Sequence, residues 1–420
     1  MAAPIQHDGE PRANAIRARL DAVAGRGLRT YTPTQIVVES AHGCTLRTAD
    51  GRELIDFTSG VLVSNLGYAH PRFEDRYRHY CAQLPRNAYN MVTEVEVQAS
   101  ERLIRALNLP KAQKVLWAAS GSEGIQKAMW AAMHRAGGRF LMLATRGGFH
   151  GKKGLAGDVS GESSRNPNVQ FISFPMKEDR PPAFYQAELH VLSAEFPHQI
   201  TLLITEPYLG ARGSYHPPRW YHKLLTDWCS RNDVPYILDE VQSCFGRTGN
   251  MFAFQTYGIE PDLVVLGKGL GNGEPVAAVA GRADLIDALD YGEASDTFSG
   301  NPRACAAVCA VLDVFEQEGV VDQCRAAAPV LRAGLEALKE RFSFITDVRG
   351  EGLVYGVETA TNELANRCVL EAYRGDETRG VHFLGPLAGN VLRVSPPLVI
   401  SEQTLHQAIN LLEKAWVRII

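Results

Sequence analysis

The chain has 420 residues, 45% of them hydrophobic and 21% charged, with a formal net charge of −4. That is the composition of a soluble globular protein, long enough for two domains, and its charge gives no electrostatic case for nucleic acid or an anionic membrane. No run approaches about 18 uninterrupted apolar residues, and residues 1–30 lack an apolar core of signal-peptide length, so neither a membrane span nor a secretory leader is expected. The eight cysteines include no CxxC pair. Cys305 and Cys309 share a helix face without an accompanying histidine, which favours core thiols in a reducing cytoplasm over zinc ligands.

In chain order, Pro11 to Val23 carries apolar residues at helical spacing. A short β section follows over 35–39, 45–47 and 53–57, with Asp50-Gly51 as a hairpin signal between the last two runs. Residues 73–83 and 95–107 read as helices. From Val115 to Ala280 short apolar strands alternate with helical patterns such as 123–136 and 220–231. The strand candidates are 115–118, 140–144, 169–174, 202–205, 236–238, 263–266 and 276–280, which together predict a mainly parallel seven-stranded sheet covered by helices. Asn301-Pro302 opens an alanine-rich helix to about Gln317, and another runs from Val320 to Phe342. The tail alternates again, with strands at 354–358 and 391–394 and helices near 362–373 and from Ser401. The expected architecture is α/β: a large domain over 59–300, and a small α+β domain built from both chain ends, 1–58 and 301–420.

Ligands in open α/β sheets gather at the carboxyl ends of strands, and chemically capable residues fall there one after another. Ser120-Gly121-Ser122 lies between a strand and a helix, where small residues and a helix amino end can receive an anion. A serine-capped turn explains it equally well. Gly148-Phe149-His150-Gly151 suggests an aromatic stacking on a flat ligand, or an ordinary core aromatic. Glu206 ends a strand before Pro207, where a surface carboxylate is the plain alternative. Asp239 and Lys268 end two further apolar runs. Only about ten of the 43 basic residues are lysines, and Lys268 alone emerges from a buried-strand pattern between glycines. A buried acid and ammonium at neighbouring strand ends are costly without a task. Pyridoxal phosphate enzymes need this pair, a lysine for the Schiff base and an acid for the pyridinium nitrogen.

At this point the chain resembles the class III (ω) aminotransferases of the fold-type I pyridoxal phosphate enzymes. The likeness runs through Leu238-Asp239-Glu240-Val241-Gln242, Gly246-Arg247-Thr248-Gly249, Pro261-Asp262 and Gly267-Lys268-Gly269-Leu270-Gly271-Asn272-Gly273. It extends from Asp56-Phe57-Thr58-Ser59-Gly60 to Leu392-Arg393-Val394-Ser395-Pro396. The resemblance implies pyridoxal 5′-phosphate held by Lys268, with Asp239 at the ring nitrogen, Gly121 and Ser122 at the phosphate, and Phe149 and Val241 on the two ring faces. His150 joins the cofactor-binding set, and Gln242 contacts the phenolic oxygen. Thr297 would reach the phosphate of a neighbouring subunit in a homodimer with shared active sites. The implied partners are small-molecule amine and oxo substrates.

Glu206 and Arg393 match a family pair in which the arginine takes a substrate carboxylate or is neutralised by the glutamate; a domain-interface ion pair is the alternative for Arg393. Many members that handle ω-amino carboxylates have arginine directly after the His-Gly step, where this chain has Lys152. Lysine lacks the planar two-pronged clamp, so an amino sugar, an aminocyclitol or a diamine becomes a candidate donor beside ω-amino acids. Two other readings stand against transamination: a racemase or epimerase of amines using the same lysine, and a catalytically silent structural member of the family.

Overall fold

A computed structural model describes residues 4–178, 180–385 and 388–420. The chain forms two compact units, one from the residues up to His70 with Asp322–Ile420, the other from Pro71–Val321. In chain order the first strands are β1 (Val38–His42), β2 (Thr45–Thr48) and β3 (Glu53–Asp56). The large unit holds β4 (Lys114–Ala118), β5 (Leu141–Thr145), β6 (Val169–Ile172), β7 (Ile200–Thr205), β8 (Tyr236–Asp239), β9 (Leu263–Leu266) and β10 (Ala277–Gly281). The tail adds β11 (Ile345–Glu351), β12 (Val354–Thr359), β13 (Arg379–His382) and β14 (Val391–Val394).

The seven expected central strands all form, within two residues of the predicted limits, in the order β4-β10-β9-β8-β7-β5-β6. Strand β10 runs antiparallel to both neighbours, β4 and β9, and the remaining pairs are parallel. The reversal follows from a short link: about ten residues join β9 to β10, too few for the crossover that a parallel neighbour requires. Strands β5, β7, β8, β9 and β10 are buried along their whole length, as a sheet covered on both faces demands. Ile125, Ala128, Met129 and Ala132 of the helix Gly121–Arg135 pack with Ile204, Ile237 and Val265 into the central core.

The units divide at 70/71 and 321/322 rather than at 58/59 and 300/301. The alanine-rich helix Pro302–Glu318 packs on Pro71–Cys81 and Glu94–Leu107 inside the large unit. Its Asp313 accepts from Arg76 at 2.5 Å and Arg102 at 2.8 Å, which ties all three helices together.

In the small unit the hairpin signal holds: β2 and β3 pair antiparallel around Gly51, whose φ is +87°. The first strand starts at Val38 because Gln35 adopts φ +39°, which breaks the extended run. Sequence periodicity did not reveal β11, β13 or the helix Pro182–Glu195. Strand β13 pairs in parallel with β3, so the four-stranded sheet β1-β2-β3-β13 draws on both ends of the chain. A second sheet has the order β11-β12-β14. Residues Ser59 to Leu62 make a left-handed turn, with φ of +49°, +58°, +69° and +61°. Such a turn costs roughly 1–2 kcal/mol per non-glycine residue. Burial of Leu62 and a 2.7 Å bond from Ser59 Oγ to the Ser395 carbonyl offset that cost.

Trp416 is fully buried at the end of the last long helix, Glu402–Trp416. Its Nε1 donates to the Cys368 carbonyl at 3.0 Å, and its ring packs on Phe342, Phe344 and Phe383. Trp416→Ala should destabilise this unit by about 3–5 kcal/mol in denaturant unfolding. Trp416→Phe should cost less, because it keeps most of the packing and loses the hydrogen bond, worth about 1 kcal/mol.

Candidate active site

With β10 alone reversed, six carboxyl ends share one edge of the central sheet. Along that edge Gly121 and Ser122 follow β4, Phe149 and His150 follow β5, and Glu206 follows β7. Asp239 ends β8, and Lys268 stands two residues beyond β9. The strand directions therefore bring together residues that lie up to 147 positions apart. Gly121, Ser122, Phe149, His150, Glu206, Asp239, Val241, Gln242 and Lys268 line one cavity of about 220 Å³.

The helix Gly121–Arg135 begins with Ser120 as its N-cap, whose Oγ accepts from Glu123 N–H at 3.4 Å. The first-turn N–H groups and the positive end of the helix dipole thus meet the cavity. A Cβ at position 121 would lie 2.9 Å from Val241 Cγ1, so glycine is needed for this approach. Gly210, which the sequence reading missed, has a similar duty. A side chain there would collide with the Gln242 amide, which packs over the bare Cα.

Asp239 is 5% exposed, and both of its oxygens are engaged. Oδ1 accepts from Val241 N–H at 3.0 Å, and Oδ2 lies 2.7 Å from His150 Nδ1. With Asp239 ionised, Nδ1 must be the donor. His150 Nε2 is buried without a hydrogen-bond partner, so the imidazole is committed to the aspartate. The loop that carries His150 is itself pinned. Gly147 and Gly161 each donate a 2.7 Å bond, to the Gly161 and Gly148 carbonyls, and Ser160 Oγ accepts from His150 N–H at 2.8 Å.

Glu206 is 4% exposed and accepts from the N–H groups of Phe149 at 2.9 Å and Gly210 at 3.4 Å. Burial pushes its carboxyl up to about 7 and the nearby Asp239 adds to that, while His150, the Phe149 N–H and Lys268 pull it down. Glu240 is also buried and pushed up to about 7, yet it has a structural task. It accepts from Ala253 and Phe254 N–H and Ser243 Oγ, capping the short helix Ala253–Tyr257. Lys268 opens the tight turn Lys268–Leu270 with φ +46°, a strained conformation of the kind found where a side chain must be aimed.

Three predicted site residues lie outside this cavity. Lys152 is exposed on the loop after Gly151. Thr297 is exposed in the loop 295–300. Arg393 is half-buried in β14 of the small unit, cross-strand from Gly356.

Comparison with known proteins addresses the family and the fold. The family profile for class-III aminotransferases matches residues 27–416. The chain is 30% identical to the 5-aminovalerate aminotransferase DavT of Pseudomonas putida, over 96% of this chain and 98% of the relative. It is 33% identical to the acetylornithine aminotransferase of Streptomyces coelicolor, over 91% of each. Among solved structures, an amine transaminase from an uncultivated Pseudomonas species in its PLP-bound form superposes with a TM-score of 0.83 at 25% identity, covering 94% of this chain and 97% of that one. An S-selective transaminase from Bacillus megaterium shares the fold, with a TM-score of 0.85 at 24% identity over 96% of this chain and 97% of its own. A profile match over nearly the whole length, joined to these full-length relatives, places this chain in the class III aminotransferases.

Proposed function

We propose that this aminotransferase moves an amino group from a primary amine donor to an oxo acceptor in a ping-pong exchange, with pyridoxal 5′-phosphate as carrier. The observation that carries the reading is the meeting of Lys268, Asp239 and a helix amino end in one cavity. The fit to the cofactor is chemical at each point. A helix N-terminus approached without a side chain at Gly121 suits a phosphate, apolar Val241 and aromatic Phe149 suit a flat ring, and a buried carboxylate suits a ring cation. When bound, the cofactor supplies the electron sink that lets a proton leave an amine-bearing carbon.

The protein's own groups divide the remaining work. Asp239, held by His150 and by the Val241 N–H, would keep a proton on the ring nitrogen. Lys268 Nζ would hold the carrier covalently and, as a free amine, would accept and return the proton at that nitrogen. Gln242 steadies the phenolic oxygen. Thr297 serves the phosphate of a second copy, which makes the working unit a homodimer with shared sites. The names of the relatives, all aminotransferases, favour transfer over inversion of the amine.

The donor follows from what can meet its far end. Lys152 is a solvated point charge without the guanidinium fork, which favours donors lacking an ω-carboxylate: an amino sugar, an aminocyclitol or a diamine. A second reading, an ω-amino acid, draws on relatives named for 5-aminovalerate and acetylornithine. There Arg393 would receive the carboxylate and Glu206 would neutralise the arginine when no carboxylate is present.

Borohydride reduction and peptide mapping should leave the cofactor on Lys268, and any other position refutes the reading. Lys268→Ala should lower turnover by at least about 100-fold while cofactor still binds without a covalent link. Asp239→Asn should keep the fold and lose about 100-fold in turnover. A panel of amine donors with pyruvate or 2-oxoglutarate should show amines without an ω-carboxylate ahead of 5-aminovalerate, and Lys152→Arg should narrow that gap. Faster use of ω-amino acids by the unaltered protein establishes the second reading instead.

Glu206 yields a pH prediction. Its folded-state value, about 7, lies above its ordinary 4.5. The protonated form is therefore favoured by the fold, with a stabilisation that is complete below about 4.5 and lost as pH rises through about 7. Glu206→Gln in the cofactor-free protein should raise Tm at pH 8, with a stability gain of at most about 3 kcal/mol, and the gain should vanish as pH falls below about 4. No gain at pH 8 would mean that a cation already neutralises the carboxylate.

A further inference from the structure

Lys127 is a buried ammonium with no place in the scheme above. It projects from the helix Gly121–Arg135, six residues after the glycine that opens the phosphate-facing turn, and is 4% exposed. All three of its donors are used. Nζ bonds the Trp117 carbonyl at 2.8 Å, Asp296 Oδ2 at 2.7 Å and Ser299 Oγ at 3.0 Å. Asp296 in turn folds the chain beyond it, because Oδ1 accepts from Phe298 N–H at 3.0 Å and from Ser299 N–H at 2.7 Å, and Oδ2 accepts from Ser299 Oγ. The far side of the loop is closed as well, with Asn301 Nδ2 donating to the Phe298 carbonyl at 2.7 Å. Between these fixed points Thr297 and Phe298 stand exposed.

We infer that buried Lys127 and half-buried Asp296 form a clasp that positions Thr297, so that the loop is set to receive the phosphate of a second copy before that copy binds its cofactor. The inference rests on the reading of Thr297 given above. The physical case is preorganisation. An exposed loop that must present one hydroxyl loses affinity if it has to be ordered at each encounter, and an ion pair anchored on a buried, fully hydrogen-bonded ammonium removes that cost in advance. Burial alone would push the Asp296 carboxyl up, yet the hydrogen bonds from Lys127 and Ser299 outweigh it and hold the group at about 2. The Asp296 end of the clasp therefore stays charged until pH falls towards that value. Because the ammonium sits on the helix that faces the subunit's own phosphate, one side chain joins the two elements assigned to the two phosphates of the dimer.

The test uses the full-length holoprotein and measures the rate at which cofactor is released to a trapping apoprotein in excess. Asp296→Asn and, separately, Lys127→Met should each speed release by about tenfold, as expected for loss of a hydrogen bond to a charged group. Thr297→Ala should do the same, and adding Asp296→Asn to it should speed release no further. Release at the wild-type rate from both clasp variants overturns the inference. So does an equal acceleration by Asp296→Asn with and without Thr297, which would mean general loosening. If Thr297→Ala itself releases cofactor at the wild-type rate while Lys268 is still labelled by borohydride, the role given to Thr297 falls, and the clasp's purpose with it. Tm of each variant checks folding, and Asp296→Asn, which preserves side-chain shape, covers the case in which Lys127→Met fails to fold.

Discussion

A carboxyl group buried at the end of an interior strand is the constraint around which the candidate site is built. Asp239 has given up nearly all contact with water, and an isolated carboxylate in that position would cost several kcal/mol. Its environment returns the lost hydration through one backbone N–H and one imidazole, and it leaves the carboxylate able to act on a cation in the cavity. The rest of the site follows from keeping that arrangement in place. His150 needs the glycine-rich loop that Ser160 and Gly161 hold shut, and Val241 needs the bare backbone of Gly121 opposite it. Lys268 needs a link too short to turn the chain into another parallel strand, and the reversed β10 is the visible result.

Two buried glutamates show how environment separates an acid left open to the cavity from one closed off by its partners. Both are pushed up to about 7 by burial. Glu240 spends its oxygens on three donors and caps the start of a helix with them, so its chemistry is closed. Glu206 accepts from two backbone donors, one of them long at 3.4 Å, and it borders the cavity. Titration alone does not distinguish them; the partners do.

The sheet was legible in the sequence because its strands are buried on both faces and read as continuous apolar runs such as Leu263–Leu266. The lysine and the aspartate were legible for the same reason, since polar groups that end such runs stand out. Other features were invisible because they depend on contacts between distant segments. Gly210 looks like any loop glycine until the Gln242 amide is seen across it. Lys127 sits in an ordinary helical pattern, and nothing local announces that Asp296, 169 positions away, is its counter-ion. Strand β13, Arg379–His382, is four residues long and begins with a charge, too brief a pattern to register, and its parallel pairing with β3 had no local trace. The division between units was misplaced for a comparable reason, because a buried alanine-rich helix carries no mark of which core it joins.

That pairing of β3 with β13 has a consequence for how the protein is made. Roughly 320 residues separate the two strands, and the whole large unit is threaded between them. At a synthesis rate of about 5–20 residues per second, the first strands wait tens of seconds on the ribosome for their partner. The large unit, continuous in the chain, can close during that interval. The leading β1–β3 segment cannot, and until β13 emerges it presents an unpaired edge, which makes it the part of the nascent chain most in need of a chaperone.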